Sequence, residues 1–317
     1  MQSKYLNKFN NSLSFFLRPR SCKVSMEPTW PEILGSTNWE KLLDPLDINV
    51  RKLILRCGDF CQGTYDSFDN DRNSKYCGTS RYGKAKFFDK VMLEDAKNYQ
   101  VYSFLYATAR VSVPEAFLLR SQSREAWDRE SNWIGYIAVT SDEYSATIGR
   151  REVYVALRGT TRNYEWIDIL GAKQDSATPL LNPTKFKPEN SNGADDDSDD
   201  DDENPKVMRG WMTIYNSDDP KSEYTKLSMR KQLLSKINEI KSKYSGEDIS
   251  IIFTGHSLGA SLSVIAAFDL VENGGVRDIP VAAFVFGLPE VGNKAFNERF
   301  NEHPNLKVLH VKNTIDL

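Results

Sequence analysis

The stretch "DISIIFTGHSLGASLSVIAAFDLVENGG" at 248–275 constrains the fold more than any other part of the chain. An apolar run of strand length passes directly into a five-residue turn, and the turn into a helix rich in small side chains. Gly274 stands where that helix should be capped. A strand feeding straight into a helix is the unit of a parallel sheet. The same alternation continues downstream. "VAAFVFG" reads as a strand, "NKAFNERFNEH" as a helix and "LKVLHV" as a strand. Upstream, "WIGYIAV" at 133–139 and "VYVAL" at 153–157 are strand-like, and 224–244 is an amphipathic helix with Leu233, Ile237, Ile240 and Tyr244 on one face. Several strands are apolar on both faces. The expected fold is therefore a mostly parallel α/β sheet covered by helices on both sides.

The turn itself is Gly255-His256-Ser257-Leu258-Gly259, a G-x-S-x-G pattern. Three fixed residues at about 7% each give roughly 0.1 chance matches in a chain this long. The inference therefore rests on its place between strand and helix. A serine in a tight strand-to-helix turn can present its hydroxyl to a reactant, and Gly255 and Gly259 let strand and helix approach closely. The helix N-terminus then faces any negative charge that forms beside Ser257. The plainer alternative is a serine that merely caps the helix.

A serine nucleophile needs a base, and the chain has only three histidines. His256 adjoins Ser257, and neighbouring side chains at such a turn diverge. His303 falls at a helix end and His310 in a strand. All three read as structural.

Several functions are disfavoured by composition. The net charge of −3 lacks the basic bias of a nucleic-acid binder. No apolar stretch is long enough to span a bilayer, which leaves a peripheral membrane role open. The four cysteines form no C-x-x-C pair and no disulfide framework, as suits a reducing compartment. Cys57 and Cys61 fit one apolar face of a helix predicted across 38–65. Residues 1–37 read as a disordered leader. Its first 26 residues carry no Asp or Glu, so a plastid or mitochondrial transit peptide is an alternative to a cytoplasmic location. The acidic run within 190–205 reads as a disordered surface loop, without the ligand spacing of a calcium site. Ser198, before "DDDD", resembles an acid-directed phosphorylation site, against the simpler reading of a passive loop.

From "GHSLGASLS" outward the chain resembles the class 3 lipases, and more narrowly the plant class II phospholipases A1. "ESNWIGYIAVT", "GRREVYVALRGTTRNYEWIDIL", "KVMRGWMTIY", "VFGLPEVGN" and "LKVLHVKNTIDL" carry the likeness, over a domain at 38–317. The resemblance implies an α/β-hydrolase fold that needs no metal or organic cofactor, and release of fatty acid from the sn-1 position of phospholipids at a peripheral membrane surface. Galactolipid or triacylglycerol hydrolysis is an alternative, as is a non-catalytic lipid-binding fragment. Ser257 matches the nucleophile and Asp316 the acid that orients the histidine. Leu258 and Thr160 match the oxyanion hole, although Thr160 could equally be an ordinary turn residue. Trp166, Ile167 and Leu170 match the apolar face of the lid, which by its residues could also be a plain surface helix. The family order places the histidine after the acid, so the proton acceptor is expected beyond Leu317, with the chain truncated at its C-terminus.

Overall fold

A computed structural model describes residues 27–108, 131–160, 173–182 and 204–312. Eight strands occur among them: β1 (Tyr99–Ala107), β2 (Asn132–Thr140), β3 (Arg151–Leu157), β4 (Gln174–Ser176), β5 (Lys206–Met208), β6 (Ile249–His256), β7 (Val281–Phe286) and β8 (Leu306–Val311). Six of them form the central sheet, in the order β1-β2-β3-β6-β7-β8. The pairings β3–β6, β6–β7 and β7–β8 are parallel, whereas β1–β2 and β2–β3 are antiparallel. The expected parallel sheet is thus present, with an antiparallel flank at its N-terminal edge. β4 and β5 pair separately as a short ribbon.

Alternation along each central strand sorts side chains into two cores. Val153, Val155 and Leu157 of β3 face one core with Ile251 and Phe253 of β6 and Ala283 and Val285 of β7. Tyr154, Ala156, Ile252, Ala282 and Phe284 face the other. Helices Arg209–Asn216, Met229–Lys243, Leu258–Asn273 and Lys294–Asn301 contribute to the first core. The helix Ile48–Ser67 covers the second through Val50, Leu53, Cys57 and Phe60. Phe60 stacks on Tyr154 with centroids 4.4 Å apart. This is the two-sided cover of an α/β-hydrolase-type sheet.

The long N-terminal helix begins at Ile48, so the helix predicted over 38–65 is too early at its start. Pro45 disfavours helical backbone at the residue before it, and Asp47 caps the helix. The Asp47 Oδ1 accepts the Asn49 N–H at 2.8 Å and the Val50 N–H at 3.3 Å. Asp47→Ala should therefore cost about 1 kcal/mol of stability, read as a lower denaturant midpoint at unchanged slope. Cys57 and Cys61 are buried on this helix as expected. Residues 27–37, assigned above to a leader, include the helix Trp30–Ile33 and a buried Leu34, so packed structure starts earlier than predicted. The amphipathic helix spans Met229–Lys243 rather than 224–244 and starts at a Ser228 cap, whose hydroxyl accepts the Lys231 N–H. At the end of the Leu258–Asn273 helix Gly274 is the cap, but Gly275 holds the left-handed conformation at φ 63°.

A buried ion cluster ties that helix to two others. Asp269, fully buried, accepts two bonds from Arg230 at 2.7 and 2.8 Å, one from the Tyr215 hydroxyl at 2.8 Å and one from Asn273 at 2.7 Å. Full hydrogen bonding of this kind offsets the desolvation of a buried carboxylate. The scaffold beneath the turn at 255–259 is thereby held in place. The acidic loop at 190–205, for all but its last two residues, and Ser198 within it lie outside the described residues. Among the described residues no helix is long and apolar enough to cross a membrane.

Candidate active site

β6 is flanked by β3 and β7 in the sheet, and its C-terminal end is where strand gives way to helix. Crevices outside the carboxyl ends of parallel strands are where open α/β sheets bind their ligands. Ser257 sits there as the single residue between β6 and the helix Leu258–Asn273, with φ 56° and ψ −123°. For a residue with a Cβ this conformation is strained, by of order 1–3 kcal/mol. The surrounding contacts explain how it persists. A Cβ on Gly255 would lie 2.4 Å from the backbone of Gly259, and one on Gly259 would lie 2.1 Å from the Leu157 carbonyl oxygen. The Ser257 N–H donates to the Phe286 carbonyl at 3.1 Å, pinning the turn to β7.

The Ser257 side chain differs from expectation. Ser257 is only 1% exposed, and its Oγ has no hydrogen-bond partner among the described residues. The hydroxyl is enclosed rather than open to solvent. A buried hydroxyl without a partner costs about 1–3 kcal/mol. Strain and an orphaned oxygen at one residue mark a position shaped for something other than stability.

The loop after β3 packs flush on this turn. A Cβ on Gly159 would lie 2.4 Å from the His256 carbonyl oxygen and 2.1 Å from the Tyr65 hydroxyl. Thr160, half-buried, is the next residue. Leu258 opens the helix after Ser257, where the first N–H groups lack intrahelical acceptors. The structure thus brings Ser257, Leu258, Gly255, Gly259 and the Gly159–Thr160 loop together. Asp316 and the lid residues Trp166, Ile167 and Leu170 lie outside the described residues.

No histidine bonds to the Ser257 hydroxyl. His256 Nδ1 is 2.9 Å from the Tyr65 Oη. His303, 8% exposed, lies against the Phe268 ring with its Nε2 3.6 Å from Glu272. His310 Nε2 accepts the Leu288 N–H at 3.0 Å, and burial together with Lys312 lowers its basicity. Each ring is engaged in holding the fold. Among the described residues no cluster of His, Cys, Asp or Glu is placed to hold a metal ion.

Sequence reasoning passed over two neighbours of the site. Tyr65 reaches it from the helix Ile48–Ser67, and Arg158 lies at the end of β3 with its guanidinium 3.8 Å over the Phe68 ring. Burial brings the Arg158 guanidinium down to about 10. Helical periodicity could not single out Tyr65, because it lies on the flank of the apolar face. Tyr65→Phe should cost about 1 kcal/mol of stability through the lost bond to His256, measured by equilibrium unfolding.

Comparison with known proteins fits this geometry. The family described as Lipase (class 3) matches residues 154–317, which include the C-terminal half of β3 and the serine turn. Phospholipase A1-IIdelta of Arabidopsis thaliana is 62% identical over 294 residues, covering 91% of this chain and 71% of the relative. The chain belongs to the class 3 lipase family. Within it, the chain falls in the plant class II phospholipase A1 group, in a class of carboxylic ester hydrolases. Phospholipase A1-II 5 of Oryza sativa subsp. indica is 45% identical over 91% of this chain, which spans 60% of that relative's length. Among solved structures, the Lip2 lipase of Yarrowia lipolytica aligns at 17% identity with a TM-score of 0.48, over 84% of this chain and 72% of its own. The lipase match begins at Tyr154, so the helix that carries Tyr65 lies outside it.

Proposed function

We propose that this chain carries the nucleophile and oxyanion hole of a phospholipase A1 that releases the sn-1 fatty acid of phospholipids. One observation carries the reading: the strained Ser257, with its orphaned Oγ, at a helix N-terminus. The Oγ attacks the ester carbonyl carbon and passes its proton to a histidine base, which the family order places after the acid Asp316. Asp316 orients that histidine. The N–H groups of Leu258 and Thr160 receive the charge on the carbonyl oxygen. The histidine returns the proton to the departing lysophospholipid oxygen, leaving an acyl-serine that water then hydrolyses. To Trp166, Ile167 and Leu170 we assign the role of the family's lid, which meets the lipid surface. This chemistry uses no metal or organic cofactor.

The test is hydrolysis of phosphatidylcholine bearing different fatty acids at its two positions, beside a galactolipid and a triacylglycerol. Early release of the sn-1 acid, with the phospholipid preferred by kcat/KM, is the expected result. Preferential release of the sn-2 acid, or preference for either of the other lipids, contradicts the substrate assignment.

A further inference from the structure

Arg158 is 1% exposed, yet no carboxylate pairs with it among the described residues. Its guanidinium lies 3.8 Å over the Phe68 ring. Its Nη1 donates to the Gly159 carbonyl at 2.7 Å, its Nε makes a longer 3.4 Å contact with the Trp133 carbonyl, and its Nη2 has no hydrogen-bond partner. Burying a cation without a counter-ion is costly, and a methionine or leucine would fill the same volume at lower cost. The strongest bond of this guanidinium goes to the carbonyl of the peptide unit that joins Gly159 to Thr160. A trans peptide is planar, so its C=O and N–H point in opposite directions. Whatever fixes the Gly159 carbonyl therefore also aims the Thr160 N–H.

Glycine before that N–H makes the lock necessary. A Cβ at 159 would collide with the Tyr65 hydroxyl and the His256 carbonyl, so only glycine fits. Glycine, however, lets its peptide rotate more freely than any other residue does. We propose that Arg158 is a positioning residue for ester hydrolysis, holding the Gly159–Thr160 peptide with its N–H directed at the developing oxyanion. A cation on the carbonyl side also polarises the peptide and strengthens the N–H as a donor. Phe68, at the end of the helix Ile48–Ser67, supports the guanidinium from below. The N-terminal helical segment is thereby coupled to the catalytic apparatus, although it precedes the region matched by the lipase family. This inference rests on the ester-hydrolase reading of Ser257 above.

The experiment uses an enzyme preparation whose ester hydrolysis is abolished by Ser257→Ala. Survival of hydrolysis in Ser257→Ala would overturn the serine reading itself. Two inhibitors are compared: an alkyl boronic acid, which forms a tetrahedral anion on the serine, and a non-hydrolysable ether analogue of the lipid, which does not. Arg158→Met should lower kcat about thirtyfold with KM within about twofold. It should weaken the boronic acid by a similar factor and leave the ether within about twofold. Arg158→Lys, which keeps the charge, should recover most of the loss. If Arg158→Met fails to fold, Phe68→Leu takes its place, with a loss of boronic-acid affinity of about threefold or more at unchanged ether affinity. Equal weakening of both inhibitors would reduce Arg158 to a structural role. Unchanged boronic-acid affinity in a folded variant would overturn the proposal.

Discussion

Ser257→Ala should yield a protein at least as stable as its parent and without ester hydrolysis. On activity, removing a serine nucleophile typically lowers kcat by about 10⁶-fold, because the remaining groups act as one unit with it. On stability the same substitution removes a buried hydroxyl that has no partner, a defect of about 1–3 kcal/mol. Ser257→Gly also relieves the strain of φ 56° and ψ −123°, partly offset by about 0.5–1 kcal/mol of glycine's own conformational entropy. The measurements are turnover of a lipid ester and the midpoint of equilibrium unfolding. A fall in stability in both variants would mean that the hydroxyl is held by a bond in the folded protein. The account would then lose its explanation of why this residue is strained.

Gly259→Ala should damage fold and catalysis together. The added Cβ would lie 2.1 Å from the Leu157 carbonyl oxygen and 2.8 Å from its carbon. Both are backbone atoms in a central strand, and neither can yield as a flexible side chain would. The helix Leu258–Asn273 must move away from β3, and its far end is fixed by the bonds of Asp269 to Arg230 and Tyr215. A strained insertion of this kind costs about 3 kcal/mol. The shift also carries the Leu258 N–H away from the loop at 159–160, and misplacement of about 1 Å can cost 10²-fold in rate. Denaturant unfolding and kcat measured on the same preparation test both halves. Parent-like stability with parent-like kcat would show that strand and helix are not in forced contact there.

Much of this was legible because the chemistry and the fold share one segment. The apolar run before Ser257 and the small side chains after it specify β6 and the helix Leu258–Asn273, and Gly255 and Gly259 stand where each lacks room for a Cβ. β3, β7 and β8 were equally readable, being short apolar runs bounded by turns. Other elements were harder. β1 mixes tyrosines with Gln100 and Ser103, and the antiparallel edge it forms has no βαβ signature. The start of the helix Ile48–Ser67 depends on the Asp47 cap and on Pro45, local signals that hydrophobic periodicity across 38–65 overruns. The enclosure of the Ser257 hydroxyl was illegible, since burial depends on what packs over the turn and not on the turn's own residues. Arg158 was hidden for a similar reason: an arginine after an apolar strand reads as a surface residue until Phe68, far off in sequence, is found beneath it.

The most direct test is where an acyl-enzyme mimic attaches. A preparation that hydrolyses lipid esters is treated with a fluorophosphonate, digested, and mapped by mass spectrometry. The expected result is a single phosphonyl adduct on Ser257, formed in step with the loss of hydrolysis. An adduct on another residue that accounts for the lost hydrolysis, with the Ser257 peptide unmodified, would contradict the assignment of Ser257 as the nucleophile.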